Sequence, residues 1–156
     1  MPSLEILASA SMDHTIRLWD MNSGKSRKVL TGHTKGVRSL AYSKEYRFLV
    51  SAGFDYDAMV WNPYVEKLIL PLHGHNSSLS NVTIVDGTPQ IITGDMEGIF
   101  KLWDVRTFGC VQTFTSDDYD ILNSFTCLPK HRRVVSGGKR VCAELHYATI
   151  TTSRVF

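Results

Sequence analysis

The sequence predicts an all-β protein built from a repeated unit of four short antiparallel strands. A fixed period is the first observation behind this prediction: the three tryptophans, Trp19, Trp61 and Trp103, follow one another at intervals of 42 residues. Within each interval, apolar runs of strand length alternate with turn-forming residues, which is the second observation. The third is that no segment sustains the spacing of about 3.6 residues that is typical of a helix.

Other residue types repeat at the same interval. The two Gly-His pairs begin at Gly32 and Gly74. Small hydroxyl residues and acidic residues also recur, at Ser9, Ser51 and Thr93 and at Asp13, Asp55 and Glu97. Four residue types that share one period indicate an internal structural repeat, and a repeat of this kind determines the architecture of the whole fold.

The unit at residues 32–74 illustrates the predicted strands. Residues 37–42 alternate between apolar and polar side chains, which predicts a half-buried strand. The apolar runs at 48–52 and 58–61 predict strands that are buried on both faces, and residues 68–70 supply the fourth strand. Four antiparallel strands in one 42-residue unit correspond to one blade of a β-propeller.

The phased motifs resemble those of the WD40-repeat family. The matching features are a Gly-His pair, an acidic turn residue 22 positions later, and a Trp-Asp pair. Residues 11–20, Ser-Met-Asp-His-Thr-Ile-Arg-Leu-Trp-Asp, are a close match, and residues 98–104, Gly-Ile-Phe-Lys-Leu-Trp-Asp, are another. The resemblance covers approximately residues 4–140 and implies a partial WD40 β-propeller of about 3.5 four-stranded antiparallel blades.

The period also predicts blade boundaries. We expect an incomplete first blade at 1–33, a second blade at 34–75, a third at 76–117, a degenerate fourth at 118–146 and a tail at 147–156. A ring of seven or eight such blades needs roughly 300 residues, so we expect the sequence to be a fragment of a longer protein; the alternative is a closed ring of four blades. Residues 47–64 and 128–140 resemble segments of large multi-propeller WD-repeat proteins of ciliated cells and protists.

The recurring hydroxyl, imidazole, carboxylate and indole groups are candidates for buried hydrogen-bonded networks, because buried polar groups must be paired. In WD40 proteins these four positions bond to one another, and the resemblance implies the same here. The implied sets are His33, Ser51, Asp55 and Trp61 in the second blade, His75, Thr93, Glu97 and Trp103 in the third, and Ser9, Asp13 and Trp19 in the first. We expect their role to be structural, since they give each indole an acceptor.

The residues beside the acidic turn positions are candidates for partner binding. If the acidic side chains are buried, their neighbours Met12, Phe54 and Met96 face outward and form an apolar stripe. Lys35 and Arg38 are expected on the same face, and these positions resemble the top-face contact residues of WD40 proteins. The alternative interpretation is that Phe54 and the two methionines pack between blades.

A second candidate surface is a basic cluster near the end of the sequence. It comprises Lys130, His131, Arg132, Arg133, Lys139 and Arg140. The cluster either forms a solvated turn or docks an acidic partner, such as tubulin tails or nucleic acid. Nearby Asp117, Asp118 and Asp120 partly neutralise its charge.

Composition argues against several classes of function. Seventeen Lys and Arg residues against 15 Asp and Glu residues give a formal net charge of +2, which does not favour nucleic acid or an anionic membrane as a partner. No apolar run reaches the length of about 18 residues that indicates a membrane span. The three cysteines lack a CxxC spacing, which favours reduced thiols in the cytosol or nucleus over disulfides or zinc. No cofactor, metal or small-molecule substrate is predicted.

The predicted function is a non-enzymatic, cytoplasmic scaffold that binds other proteins through a propeller face. One alternative is a microtubule-associated component of the axoneme or cytoskeleton, with tubulin or axonemal proteins as partners. A remote alternative is a hydrolase that uses a Ser/His/Asp set. The sequence offers neither a nucleophile elbow nor an evident oxyanion hole, and a single nucleophilic site does not need to recur in every blade.

Overall fold

The chain folds into four antiparallel β-sheets, as a computed structural model describes. The described residues are 5–65, 67–107, 109–115, 122–128, 130 and 133–138, together with the backbone of 142–146. Within these ranges the secondary structure consists of β-strands and turns without an α-helix, which confirms the predicted all-β class. No helix in the described part has the length and hydropathy needed to cross a membrane.

In every sheet the strands pair in chain order. The first sheet contains β1 (Ile6–Ala10), β2 (Ile16–Asp20) and β3 (Ser26–Leu30). The second contains β4 (Val37–Ser43), β5 (Phe48–Gly53), β6 (Ala58–Asn62) and β7 (Lys67–Leu72). The third contains β8 (Leu79–Ile84), β9 (Gln90–Asp95), β10 (Ile99–Asp104) and β11 (Gly109–Thr115). The fourth contains β12 (Leu122–Leu128), β13 (Arg133–Gly138) and β14 (Cys142–His146).

The sheets are arranged side by side as propeller blades. Strand β4 of the second blade packs against β8 of the third, and β8 packs against β12 of the fourth, so the first described strands of these three blades are neighbours. Strand β1, the first described strand of the first blade, contacts β4. The predicted tail at 147–156 and the basic positions His131, Arg132, Lys139 and Arg140 lie outside the described residues.

Apolar side chains fill the spaces between successive blades in three clusters. In the second blade, Leu49 and Trp61 pack toward the first blade, while Val50 and Val60 pack toward the third. Strands β5 and β6 are therefore buried on both faces, as their continuous apolar sequences predict. Between the third and fourth blades, the ring of Phe100 meets that of Phe125 edge-on, with centroids 5.1 Å apart.

A chain of side-chain hydrogen bonds links the first strands of three blades. The hydroxyl of Ser39 on β4 donates to the Asn81 side-chain oxygen on β8. The Asn81 amide nitrogen donates in turn to the Phe125 carbonyl on β12 at 2.8 Å, and to the Ser124 hydroxyl at 3.3 Å. Because both ends of the Asn81 amide are used by different blades, this side chain fixes the separation of three sheets at once.

Replacing Asn81 with leucine should weaken the association between blades. The substitution keeps the side-chain volume but leaves the Ser39 hydroxyl and the Phe125 carbonyl without this partner, and we expect the free energy of unfolding to fall by about 1–3 kcal/mol. Urea denaturation followed by tryptophan fluorescence measures the change. The matched control is Asn123→Leu at the exposed neighbouring position on β12. An equal loss of stability in both variants would contradict the proposed role of Asn81.

Candidate functional site

A buried polar network lies at one end of the second blade. His33 precedes β4, Ser51 lies on β5, Asp55 lies in the β5–β6 turn and Trp61 lies on β6. Nδ1 of His33 is 2.9 Å from both Asp55 carboxylate oxygens, and Nε2 is 2.7 Å from the Ser51 hydroxyl. The Trp61 indole N–H donates to the same hydroxyl at 2.8 Å. The structure thus brings together the four residues that the sequence pattern grouped in this blade.

The direction of these hydrogen bonds follows from their chemistry. A carboxylate only accepts, so the proton of the His33 ring lies on Nδ1 and faces Asp55. Nε2 is then an acceptor for the Ser51 hydroxyl proton, while the hydroxyl oxygen accepts from Trp61. A chain of donors therefore runs from Trp61 through Ser51 and His33 to Asp55. It is closed to solvent, since the His33 and Asp55 side chains are 1% and 4% exposed and Ser51 is fully buried.

Gly53 leaves room for the histidine–carboxylate pair at the end of β5. A Cβ atom at this position would collide with the Asp55 carboxylate and would lie 2.5 Å from Nδ1 of His33. The carboxylate also accepts the backbone N–H of Thr34 at 2.9 Å. Asp55 therefore joins the β5–β6 turn to the segment before β4, and so fixes two loops of the same blade.

The third blade contains the same kind of network with a different carboxylate. His75 Nδ1 is 2.8 Å from a carboxylate oxygen of Asp95, its Nε2 is 2.7 Å from the Thr93 hydroxyl, and the Trp103 indole donates to that hydroxyl at 2.8 Å. The prediction that Glu97 fills the acidic position is wrong, because Glu97 is exposed while Asp95 is fully buried.

Strand geometry explains the substitution of Asp95 for Glu97. Successive side chains on a strand point to opposite faces, so Asp95 shares a face with Thr93, two residues earlier. Its second carboxylate oxygen accepts the backbone N–H groups of Glu97 and Ile99, each at 3.0 Å, and thereby stabilises the β9–β10 turn. The signal that could have identified this residue was an aspartate two positions after the recurring hydroxyl.

In the first blade, only two of the three predicted residues meet. The Trp19 indole donates to the Ser9 hydroxyl at 2.8 Å. Asp13 is exposed, and in the described residues no hydrogen bond joins it to this pair. It accepts instead from the hydroxyl and backbone N–H of Thr15, at 2.6 and 3.0 Å, and these hydrogen bonds hold the pKa of the Asp13 carboxyl below its usual value.

The turn backbone nevertheless repeats in all three blades. His14, Tyr56 and Gly98 follow the three acidic turn positions at the 42-residue interval, and their φ angles are 73°, 75° and 79°. This left-handed conformation is easy for glycine and uncommon for histidine and tyrosine. The period therefore located the turn correctly in the third blade, although the buried carboxylate sits two residues earlier than the period implied.

The predicted partner-binding residues lie at one end of the blades, which we call the upper face. This face carries the β1–β2, β5–β6 and β9–β10 turns and the segments that precede β4 and β8. Met12 is 66% exposed, Lys35 and Arg38 are exposed, and Phe54 and Met96 are half-buried.

Backbone contacts connect the three apolar residues across the blades. Met12 lies over Gly36, where a Cβ atom would be 2.8 Å from its sulfur, and the Gly36 carbonyl accepts the Phe54 N–H at 2.9 Å. The Ser78 hydroxyl donates to the Phe54 carbonyl at 3.3 Å, and the Ser78 carbonyl accepts the Met96 N–H at 2.9 Å. We call Met12, Phe54 and Met96 the apolar strip.

Two cations of the upper face stack on aromatic rings. Nζ of Lys35 lies 4.9 Å from the ring centroid of Tyr56, and the Arg38 guanidinium carbon lies 5.9 Å from that of Phe54. Tyr56 is a residue of this face that the sequence reasoning missed. Its position directly after Asp55 was an available signal, because the expectation that a buried acidic side chain turns its neighbour outward applies to Tyr56 as well as to Phe54.

At the opposite end of the blades, which we call the lower face, a cavity of about 370 Å³ is lined by residues of both β1 and β4. Its described lining is apolar apart from the hydroxyls of Tyr42 and Tyr64, which are 2.9 Å apart. Desolvation and the Tyr64 hydrogen bond raise the pKa of Tyr42 to about 12. The lining contains no carboxylate, imidazole or thiol among the described residues. No group of three or more potential metal ligands occurs in the described part of the chain.

These features define a class of protein: a β-propeller repeat protein whose complete blades are closed by an indole–hydroxyl–histidine–aspartate network. A family model described as "WD domain, G-beta repeat" matches residues 1–20, 24–62 and 66–104. The chain belongs to the WD40-repeat family.

Curated relatives come from several cellular contexts. The chain is 39% identical over 146 residues to cilia- and flagella-associated protein 337 B of Tetrahymena thermophila, an alignment that covers 90% of the chain and 12% of the relative. It is 31% identical over 114 residues to nuclear distribution protein nudF of Aspergillus flavus, covering 71% and 25%. It is 32% identical over 105 residues to a ribosome biogenesis protein WDR12 homolog of Ixodes scapularis, covering 65% and 24%. The chain thus spans a quarter or less of each of these relatives.

Removing the Asp95 carboxylate should destabilise the protein far more than removing that of Glu97. Asp95→Ala leaves two turn N–H groups and the His75 ring without their acceptor, and we expect a loss of about 2–4 kcal/mol in the free energy of unfolding. Glu97→Ala changes an exposed side chain and should stay within about 0.5 kcal/mol of the parent. Urea denaturation of the two variants makes the comparison. A larger effect at Glu97 would restore the original assignment.

Proposed function

We propose that the chain is a non-catalytic scaffold that binds other proteins on its upper face. The observation that carries this proposal is the apolar strip, which runs across three blades through the contacts at Gly36 and Ser78. Met12 is exposed and Phe54 and Met96 are half-buried, and apolar surface that is left open to solvent is typical of protein-binding sites. The polar networks of the second and third blades support the same proposal, because they hold the turns that carry Phe54 and Met96 in a fixed position before a partner arrives.

The burial of the candidate nucleophiles favours a scaffold over the hydrolase alternative. Ser51 and Thr93 are both fully buried. Each hydroxyl is engaged by an indole donor and by a histidine ring nitrogen, and neither residue lines the lower-face cavity. A catalytic nucleophile must reach the reacting atom of its substrate, so these groups suit a structural role.

Substitutions on the apolar strip should abolish partner capture without unfolding the chain. The immobilised chain is used to capture proteins from a cell extract, and mass spectrometry quantifies the proteins retained by Phe54→Asp and by Met12→Asp. We expect both variants to lose the partners that the parent retains, because each places a carboxylate on the binding surface. Thermal unfolding of both variants is measured in parallel.

The matched control for capture is Val65→Asp, which places the same charge at a residue that is 61% exposed on the lower face. It should retain the partners. Full capture by Met12→Asp, or a loss of capture that tracks the loss of thermal stability in all three variants, would contradict the proposal. The first result would mean that the strip is not the binding surface, and the second that Phe54 is part of the core.

A second proposal concerns the cellular setting: the chain acts as a component of cilia or of the microtubule cytoskeleton, and its cytoplasmic partners include tubulin or axonemal proteins. The supporting observation is the 39% identity, over 90% of the chain, to a relative named as cilia- and flagella-associated. The lower identity to nuclear distribution proteins, over about seven tenths of the chain, is a weaker guide to setting.

Microtubule association can be tested directly with the purified chain. We expect the chain to pellet with stabilised microtubules and to remain in the supernatant without them, and a fluorescently tagged chain expressed in a ciliated protist to be enriched in cilia. A chain that stays in the supernatant in both samples and is spread evenly through the cell body would exclude this setting. The scaffold proposal would survive that result, since it depends on the apolar strip alone.

A further inference from the structure

We propose that the upper face at the junction of the first and second blades binds an acidic peptide segment that carries an apolar side chain among its carboxylates. This inference rests on the proposed scaffold function and names the chemistry of its partner. The residues that would make the contacts are Lys35, Arg38, Met12, Phe54 and Tyr56.

Lys35 and Arg38 are available to an anionic ligand. Both are exposed, and within the described part of the chain neither lies within ion-pair distance of a carboxylate. Stacking on Tyr56 and Phe54 holds their head groups in place while the N–H donors remain free to bind an anion. Cations that are already ordered lose less side-chain entropy when a ligand binds.

The carboxylates near these cations are engaged elsewhere. Asp55 is buried against its histidine, and Asp57 lies 2.7 Å from a histidine that follows β7. Asp13 accepts from Thr15 and lies 3.6 Å from a guanidinium nitrogen of Arg17. Within the described residues Lys35 and Arg38 are therefore left as exposed cations without a carboxylate partner, although the chain as a whole is close to neutral.

An apolar surface covers Gly36, which stands between Lys35 and Arg38 in the sequence. Gly36 follows Lys35 directly, and the Met12 thioether rests on it with 66% of that residue exposed. The Phe54 backbone N–H donates a hydrogen bond to the carbonyl of the same glycine. Methionine adapts its shape to a partner, so an apolar side chain of a peptide can rest on Met12 while the flanking carboxylates reach Lys35 and Arg38.

The repeat itself sets this junction apart from the next one. One period after Lys35 and Arg38, the third blade has Ser77 and Ser80, and Ser80 is buried. One period after Tyr56 it has Gly98, which offers no ring on which a cation could stack. The basic and aromatic side chains are thus confined to one of two junctions that have the same turn backbone.

Two available cations favour a peptide over nucleic acid. Nucleic-acid binding draws most of its affinity from many phosphate contacts, whereas a short acidic peptide needs few charged partners and gains from an apolar contact. Lys35 and Arg38 are three residues apart, so their Cα atoms are separated by at most about 10 Å. Carboxylates two or three residues apart in an extended peptide match this separation.

Fluorescence anisotropy with the full chain tests the proposal. The probe is a fluorescein-labelled peptide in which glutamates flank a leucine, compared with versions in which glutamine replaces each glutamate or serine replaces the leucine. We expect the glutamate–leucine peptide to bind roughly tenfold more tightly than either comparison peptide, and to weaken as salt is added. Equal binding of the glutamine peptide would overturn the assignment of an acidic partner.

Charge-reversal variants locate the binding site. Lys35→Glu combined with Arg38→Glu should lower the affinity for the acidic peptide by at least roughly tenfold. The control combines Lys44→Glu with Lys67→Glu, which changes the net charge equally at exposed residues of the lower face and should leave the affinity unchanged. Equal losses in both double variants would place the binding elsewhere. Thermal unfolding checks that both remain folded.

Three further outcomes separate this proposal from others. Tighter binding of a single-stranded oligonucleotide than of the acidic peptide would replace the peptide assignment with nucleic acid. If the strip variants Phe54→Asp and Met12→Asp lose their captured proteins but the acidic peptide fails to bind the parent chain, the scaffold proposal stands and the acidic chemistry is wrong. If neither the captured proteins nor the peptide depends on the upper face, both proposals fall together.

Discussion

The indole N–H of each buried tryptophan requires an acceptor inside a blade whose backbone groups are occupied by the sheet. The Ser51 hydroxyl accepts from Trp61, His33 accepts from that hydroxyl, and Asp55 accepts from the histidine ring. Each of these buried groups is paired with the next one along the chain of bonds, so removing one member leaves its neighbour without that partner. Because the network ends in a turn, it joins the core of the second blade to the backbone of the upper face.

The period of the sequence predicts backbone positions more reliably than it predicts chemistry. The strands at 48–52 and 58–61 appear in the structure one residue longer, and the left-handed turn residues recur at the expected interval. The period also points to Glu97, yet the carboxylate that pairs with His75 belongs to Asp95. Nothing in a spacing rule distinguishes two acidic residues beside the same turn. The end of β9 distinguishes them, because Asp95 is still on the strand and shares a face with Thr93, whereas Glu97 lies in the following turn.

Contacts between residues of different chemical type are the part of the site that repeat matching does not reveal. Ser39 and Asn81 are also 42 residues apart and bond directly across two blades, but a serine and an asparagine do not look like a repeat. Likewise, the stacking of Lys35 on Tyr56 joins a residue before β4 to one after β5. Such pairs form where two loops at the same end of a blade meet in space. The loops meet only after the strands between them have paired into a sheet, so the sequence alone does not show the contact.

The same turn serves both stability and the proposed binding. Asp55 is buried, and its neighbours Phe54 and Tyr56 point away from it and carry Arg38 and Lys35 respectively. The backbone geometry that the blades share thus fixes where the side chains of the turn project. The identity of the residues outside the network then determines what those side chains contact. The equivalent positions of Tyr56 and Gly98 lie outside the networks, so the hydrogen bonds of the core are satisfied whichever residue occupies them. Residues that recognise a partner are therefore best sought at turn positions where the side chain differs between blades while the backbone conformation stays the same.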